Sequence, residues 1–183
     1  PGANGKVSRK AVRGGSYCRS GECFLVEEEP QAFNQVRVIV DANIVFSGIL
    51  NSNADRDLLI NSDGKIDFIA PDFLRAEITK HHSKLARLAR LTVAEIREVE
   101  FLLFKHITFI SEDQIKPSEW KYAEETVAGV DPNDAPYVAY AKHFRCKIWS
   151  GDKSLVRGLK QRGFKSFVST QELTDWRASK AGD

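Results

Sequence analysis

The chain has 183 residues, 42% of them apolar and 28% charged, with a formal net charge of +2. That balance excludes an intrinsically disordered chain, and the length suits one domain with a small appendage. So mild a positive charge permits a nucleic-acid partner without arguing for one.

Residues 1–35 stand apart from the rest. They hold five glycines, the basic residues Lys6, Arg9, Lys10 and Arg13, and the acidic run Glu27-Glu28-Glu29 before Pro30. Beyond Phe24-Leu25-Val26 there is little periodicity, so a flexible or weakly structured arm is expected, with the domain proper at 36–183. Cys18 and Cys23 lack a second pair of ligands nearby in sequence and read as two separate thiols rather than half a zinc site. The polar start lacks the apolar stretch of a signal peptide. Pro1 at the start and the lack of any Met suggest a fragment or processed product. No apolar run approaches the roughly 20 residues of a membrane span. The odd count of three cysteines favours a reducing, cytoplasmic setting.

From residue 36 the pattern becomes regular. Val36–Val40 is a β-branched run of strand length. Ile44–Ile60 reads as helix, interrupted near Asn51-Ser52-Asn53. Ile66–Ala70 is a second strand, closed by Pro71. Asp72 is the expected N-cap of a helix over Phe73–Leu88. Thr92-Val93-Ala94-Glu95 is a capping box that opens a helix to about His106. Ile107–Ile110 is a strand, and Pro117 starts a helix ending near Gly129. Asn133–Phe144 is helix, Lys147–Ser150 strand, and Asp152 caps a helix over Lys153–Gln161. Phe164–Val168 is the last strand and Thr170–Ser179 the last helix. Short strands alternating with helices predict an α/β fold: a three-layer α/β/α sandwich around a parallel sheet of about five strands. In such sheets ligands bind outside the carboxyl ends of the strands.

Acids stand at those ends. Asp41 directly follows the first strand, and Asp152 follows Lys147–Ser150 after one glycine. Asp134 begins the helix that feeds that strand, with Asp131 three residues before. Glu77 shares a helix face with Phe73, Leu74 and Ile78, so it points to the apolar side. Singly, each acid also reads as a cap, a turn residue or half of a surface ion pair. Together, inward carboxylates repel one another and need a cation, and all-oxygen ligation selects Mg²⁺ or Mn²⁺ over zinc.

Four segments in order resemble the PIN-domain nucleases: Ile39-Val40-Asp41-Ala42-Asn43-Ile44 with Ser47 after it, Leu74-Arg75-Ala76-Glu77-Ile78, Asp131-Pro132-Asn133-Asp134-Ala135-Pro136-Tyr137-Val138-Ala139, and Trp149-Ser150-Gly151-Asp152-Lys153-Ser154-Leu155. The resemblance covers nearly everything from Val36 to Trp176. It implies an α/β/α domain with a Mg²⁺- or Mn²⁺-dependent endoribonuclease site. Asp41, Glu77, Asp134 and Asp152 match the family's acidic quartet, Asp131 a further acid seen in some branches, and Asn43, Ser47 and Ser150 the polar positions around them. It also implies a place among the toxins of toxin–antitoxin pairs, with a small antitoxin and a second copy of the chain as partners.

Phosphodiester cleavage needs an activated water and a stabilised leaving oxygen, and two cations roughly 4 Å apart supply both. Asp41 is the expected central ligand, Asp134 and Asp152 complete the set, and Glu77 ligates or orients the water. Asn43 and Ser150 hold carboxylates through hydrogen bonds. Lys80, His81, His82, Lys84, Arg87 and Arg90 follow Glu77 on the same expected helix and form either an RNA track or a solvated face, and Lys153 is a further phosphate contact. Two rivals remain. A haloacid-dehalogenase-like phosphatase needs a second acid two residues after the first, where this chain has Asn43. A non-catalytic RNA- or protein-binding module has no use for inward carboxylates.

Overall fold

The computed structural model describes residues 35–51, 54–62 and 64–180. The expected arm, with Cys18 and Cys23, lies outside these residues, Gln35 excepted. β1 (Val36–Val40) leads into α1 (Ala42–Leu50) and α2 (Ala54–Asn61), and β2 (Ile66–Pro71) into α3 (Phe73–Lys80), α4 (His82–Ala89) and α5 (Val93–Phe104). After β3 (Ile107–Ile110) come a 3₁₀ turn at Glu112–Gln114, α6 (Pro117–Val127), a second 3₁₀ turn at Pro132–Asp134 and α7 (Ala135–Phe144). β4 (Lys147–Trp149), α8 (Lys153–Gln161), β5 (Phe167–Val168) and α9 (Thr170–Ser179) complete the described elements.

All strand pairs are parallel, in the order β3-β2-β1-β4-β5. The β-branched run of β1 explains its central place: Val38, Ile39 and Val40 are buried on both faces of the sheet. α7 lies against β1, β2 and β4 with α6 beside it, while α1 packs with α2, α3, α4 and α5, and α2 meets α9. The result is the expected α/β/α sandwich. α8 sits close to the loop after α6, where a Cβ on Gly158 would come within 3.0 Å of the Val130 side chain. Arg162, just past α8, donates from Nε to the Thr126 carbonyl at 2.8 Å and so fastens α8 to α6.

Several local expectations change. The single helix over Phe73–Leu88 breaks at His81, whose backbone (φ −101°, ψ 3°) is not helical. Thr79 Oγ1 donates back to the Arg75 carbonyl at 2.8 Å, a bond that bends helices, and the His81 ring packs edge-on to Phe46 of α1. Asp72 does not cap α3. Its backbone is already helical and its N–H extends the β2–β3 ladder to the Ile110 carbonyl. The helix expected from Asn133 starts at Ala135, after the 3₁₀ turn, because the Asp131 side chain caps that turn from the Asn133 N–H. β5 is shorter than expected: Phe164 instead packs edge-on against Phe167.

His82 leaves the expected basic track altogether. It is buried, and its Nε2 lies 2.7 Å from Glu100 Oε2, joining α4 to α5. Removing one member strands the other out of reach of water, which costs about 1–3 kcal/mol for a buried polar group. Glu100→Leu should therefore lower stability by about 2 kcal/mol in urea unfolding, and His82→Leu on top should restore part of it. Single and double variants with additive losses would show that the two side chains do not depend on each other.

Candidate active site

The chain enters the sheet at β1, moves one way to β2 and β3, then crosses back to β4 on the other flank of β1. This reversal opens a crevice at the carboxyl ends of β1 and β4. Val40 pairs with Trp149, so Asp41 and Ser150 emerge side by side, and the Asp41 N–H extends the ladder to the Trp149 carbonyl at 3.1 Å.

Asp41 is only 4% exposed. Asn43 Nδ2 donates to its Oδ2 at 2.6 Å and also reaches Ser150 Oγ at 3.2 Å. The Asn43 carbonyl oxygen accepts the Gly151 N–H at 3.0 Å. One amide thus ties both strand ends together and fixes the buried carboxylate. Burial raises the pKa of Asp41, bonds from Ser150 and Asn43 pull the other way, and the charge of Asp152 raises it again.

Asp134 stands at the start of α7, half-buried. Burial first, then the charges of Asp41, Asp131, Asp152 and Glu77, push its carboxyl up to about 7. The charges named here are all negative, and they come from four distant parts of the chain. Glu77 is half-buried on α3, where the Tyr137 hydroxyl of α7 donates to its Oε2 at 3.5 Å. Asp152 is exposed, and its Oδ1 accepts the Ser154 and Leu155 N–H groups at 2.7 and 3.0 Å, so it caps α8 while facing the crevice acids. Asp131 is exposed and caps the 3₁₀ turn.

A family profile described as PIN domain matches residues 39–175, well over half of the chain. The chain belongs to the PIN-domain family. No curated protein matches it. Among solved structures it is similar to PAE2754 from Pyrobaculum aerophilum, with 18% identity and a TM-score of 0.58 over 79% of this chain and 96% of that one. At that identity the likeness shows the fold alone. PIN domains are in general metal-dependent nucleases.

The donor set of this PIN domain suits a hard divalent cation. It is all oxygen, it includes a buried aspartate, and its members add their charges to the burial that raises the Asp134 pKa. Among the described residues, no three acidic, histidine or cysteine side chains already stand close enough to hold an ion. The carboxylates of the PIN domain converge at electrostatic range, and ligation would draw them closer. Asp41, Glu77, Asp134 and Asp152 are the side chains that would hold such a cation, while the Asp131 carboxylate is committed to its turn.

Other expected residues fall elsewhere. Ser47 Oγ donates to Asp55 Oδ2 at 2.7 Å instead of reaching a crevice acid in that bond. Asp55 Oδ1 accepts from Thr170 Oγ1 at 2.6 Å, and Thr170 accepts from Trp149 Nε1 at 3.1 Å. Through this chain α1, α2, α9 and β4 of the PIN domain are held together behind the crevice. Lys80, Lys84, Arg87 and Lys153 are all exposed, but the break at His81 puts Lys84 and Arg87 on α4, a different helix from Glu77. Tyr137 was given no role from sequence. It is buried, touches Glu77, accepts a bond from the Ala42 backbone, and lies in the field of Asp41, Glu77 and Asp134, with its phenol pKa raised first by burial. Its spacing of three from Asp134, one helical turn on, was the available signal.

Proposed function

We propose that this PIN domain is a divalent-metal-dependent endoribonuclease. The observation that carries the proposal is the placement of Asp41, Asp134, Asp152 and Glu77 at the carboxyl ends of the strands, where burial first and then the charges of the other carboxylates push the Asp134 carboxyl up to about 7. Such an arrangement is costly without a cation and useful with one. Mg²⁺ or Mn²⁺ bound there would supply an activated water and offset charge building on the phosphate. Asn43 and Ser150 orient the Asp41 carboxylate, and Tyr137 orients Glu77 as a neutral hydroxyl donor. Asn43 spends its donors and acceptor on this frame, which leaves no acid where phosphoryl transfer through a covalent aspartate would need one.

The toxin role, with a small antitoxin and a second copy of the chain as partners, rests on family resemblance. A reducing, cytoplasmic setting belongs to the same proposal. Burial pushes the half-buried Cys146 thiol up to about 11, which makes it a poor nucleophile for disulfide formation. No helix among the described residues is long and apolar enough to cross a membrane.

The test is cleavage of a panel of single-stranded RNAs with Mn²⁺ or Mg²⁺. Internal cuts that appear with either ion and stop with EDTA are expected. Metal-independent cutting, or none with either ion, would remove the proposal.

A further inference from the structure

α8 leaves the crevice at Asp152 and carries Lys153, Arg157 and Lys160 along one exposed stripe by i, i+4 and i+7 spacing. The opposite stripe, Leu155 and Leu159, is buried. At the helical rise the three cations span roughly 10 Å. They line a cleft of about 760 Å³ between α8 and the β5–α9 corner, and the cleft opens from Ser150, Gly151 and Asp152. One end is therefore the active-site crevice itself.

The rest of the lining is mixed. Val156, Phe167 and Val168 supply apolar surface, and Ser169, Thr170 and Gln171 border it opposite α8 with side chains already bonded to Glu172, Asp55 and Asp175. Glu172 also borders the cleft, but the Ser169 hydroxyl and N–H both bond its carboxylate as a capping box, which holds its pKa below the usual range. Its charge is engaged in starting α9.

Cations along one side and apolar surface beside them fit a strand that shows phosphates and base faces at once. Single-stranded RNA does so, with phosphates on the basic side chains and bases against the apolar surface. A duplex turns its bases inward and would leave the apolar lining unused. An acidic peptide would meet the cations but needs no such lining.

We propose that the cleft along α8 is the track for single-stranded RNA on one side of the scissile phosphate, with Lys153, Arg157 and Lys160 as its backbone contacts. The proposal rests on the nuclease reading above and names its substrate class and a binding surface for it. It places the substrate along α8 rather than along the α4 face that carries Lys84 and Arg87.

The test measures binding of a labelled single-stranded oligoribonucleotide in EDTA, where no metal-dependent cutting occurs, across a salt series. Arg157→Ala with Lys160→Ala should weaken binding about tenfold at low salt and flatten the slope of log K against log salt by about 1.4, two lost phosphate contacts' worth for a single strand. Lys142→Ala with Lys165→Ala, at a separate basic pocket between α6 and the β4–β5 end, should change neither. Both residues of the test pair are exposed, so the fold should survive, and circular dichroism checks it. Equal losses from the two pairs, an unchanged slope in the test pair, tighter binding to the matched duplex, or preference for a glutamate-rich peptide would each overturn the track. A wild type that cuts RNA while the test pair keeps full affinity loses the track alone. A wild type that binds through the track but never cuts keeps it and loses the nuclease.

Discussion

Asp41→Asn should lower the rate of metal-dependent RNA cleavage by about 10³-fold or more, the equivalent of about 4 kcal/mol in the barrier. The replacement is nearly isosteric. Its amide oxygen keeps the bond from Asn43 Nδ2, but its NH₂ meets Ser150 Oγ, which already accepts from Asn43 Nδ2 and the Asp152 N–H, so the frame at the ends of β1 and β4 is retained less the Ser150 bond. What goes is the buried carboxylate at the switch point, and with it the proposed central ligand for a hard cation. Stability should change little, since losing the Ser150 bond is offset by removing a charged form that burial already disfavours. Asn43→Ala removes orientation but not charge, so a smaller loss of about 10- to 100-fold is expected. Initial rates at saturating Mn²⁺ and RNA separate the two. Asp41→Asn retaining a rate within tenfold of wild type would place the chemistry elsewhere.

The contrast between what was and was not legible in the sequence follows from range. β1 was plain because a run of β-branched residues has few other uses, and the box at Thr92 and Glu95 forms as its spacing requires, with the Thr92 Oγ1 accepting the Glu95 N–H. Asp41, Asp134 and Asp152 could be placed near one another because a parallel sheet sends its strand ends to one edge. The break at His81 was hidden, since it depends on Phe46 from another helix. So was the fate of His82, which looked like one more cation until Glu100, eighteen residues on, proved to be its partner. The bond from Ser47 to Asp55 was hidden too, because it continues through Thr170 to Trp149, contacts that no local pattern encodes. The basic stripe of α8 lay in plain view at i, i+4 and i+7. Only the packing of β5 and α9 beside it turned a solvated helix face into one wall of a cleft.

Without divalent metal, the PIN domain should lose stability as pH rises from about 4 to about 7, and Asp134→Asn should abolish much of that slope. The Asp134 carboxyl titrates near its ordinary 3.8 when unfolded and at about 7 when folded. Between those values the folded state holds a proton that the unfolded chain has given up, so stability falls with pH. The contribution is fully present below the unfolded value and gone once pH passes the folded one. Three pH units would be worth about 4 kcal/mol for a fully buried group, and solvent reaching Asp134 reduces this to about 1–2 kcal/mol, a melting shift of several degrees. Metal should reverse the trend, because a cation takes the place of the proton: Mn²⁺ should raise the melting temperature more at pH 8 than at pH 5. Asp134→Asn in EDTA should then outlast the wild type at pH 8 and match it at pH 4, while cutting no RNA. Such a variant, more stable and inactive, is the signature of carboxylates gathered for a ligand and against the stability of the empty fold. Parallel melting curves for the two proteins across this range, with no metal effect on either, would mean that Asp134 is neither held protonated by burial nor in the field of the other carboxylates.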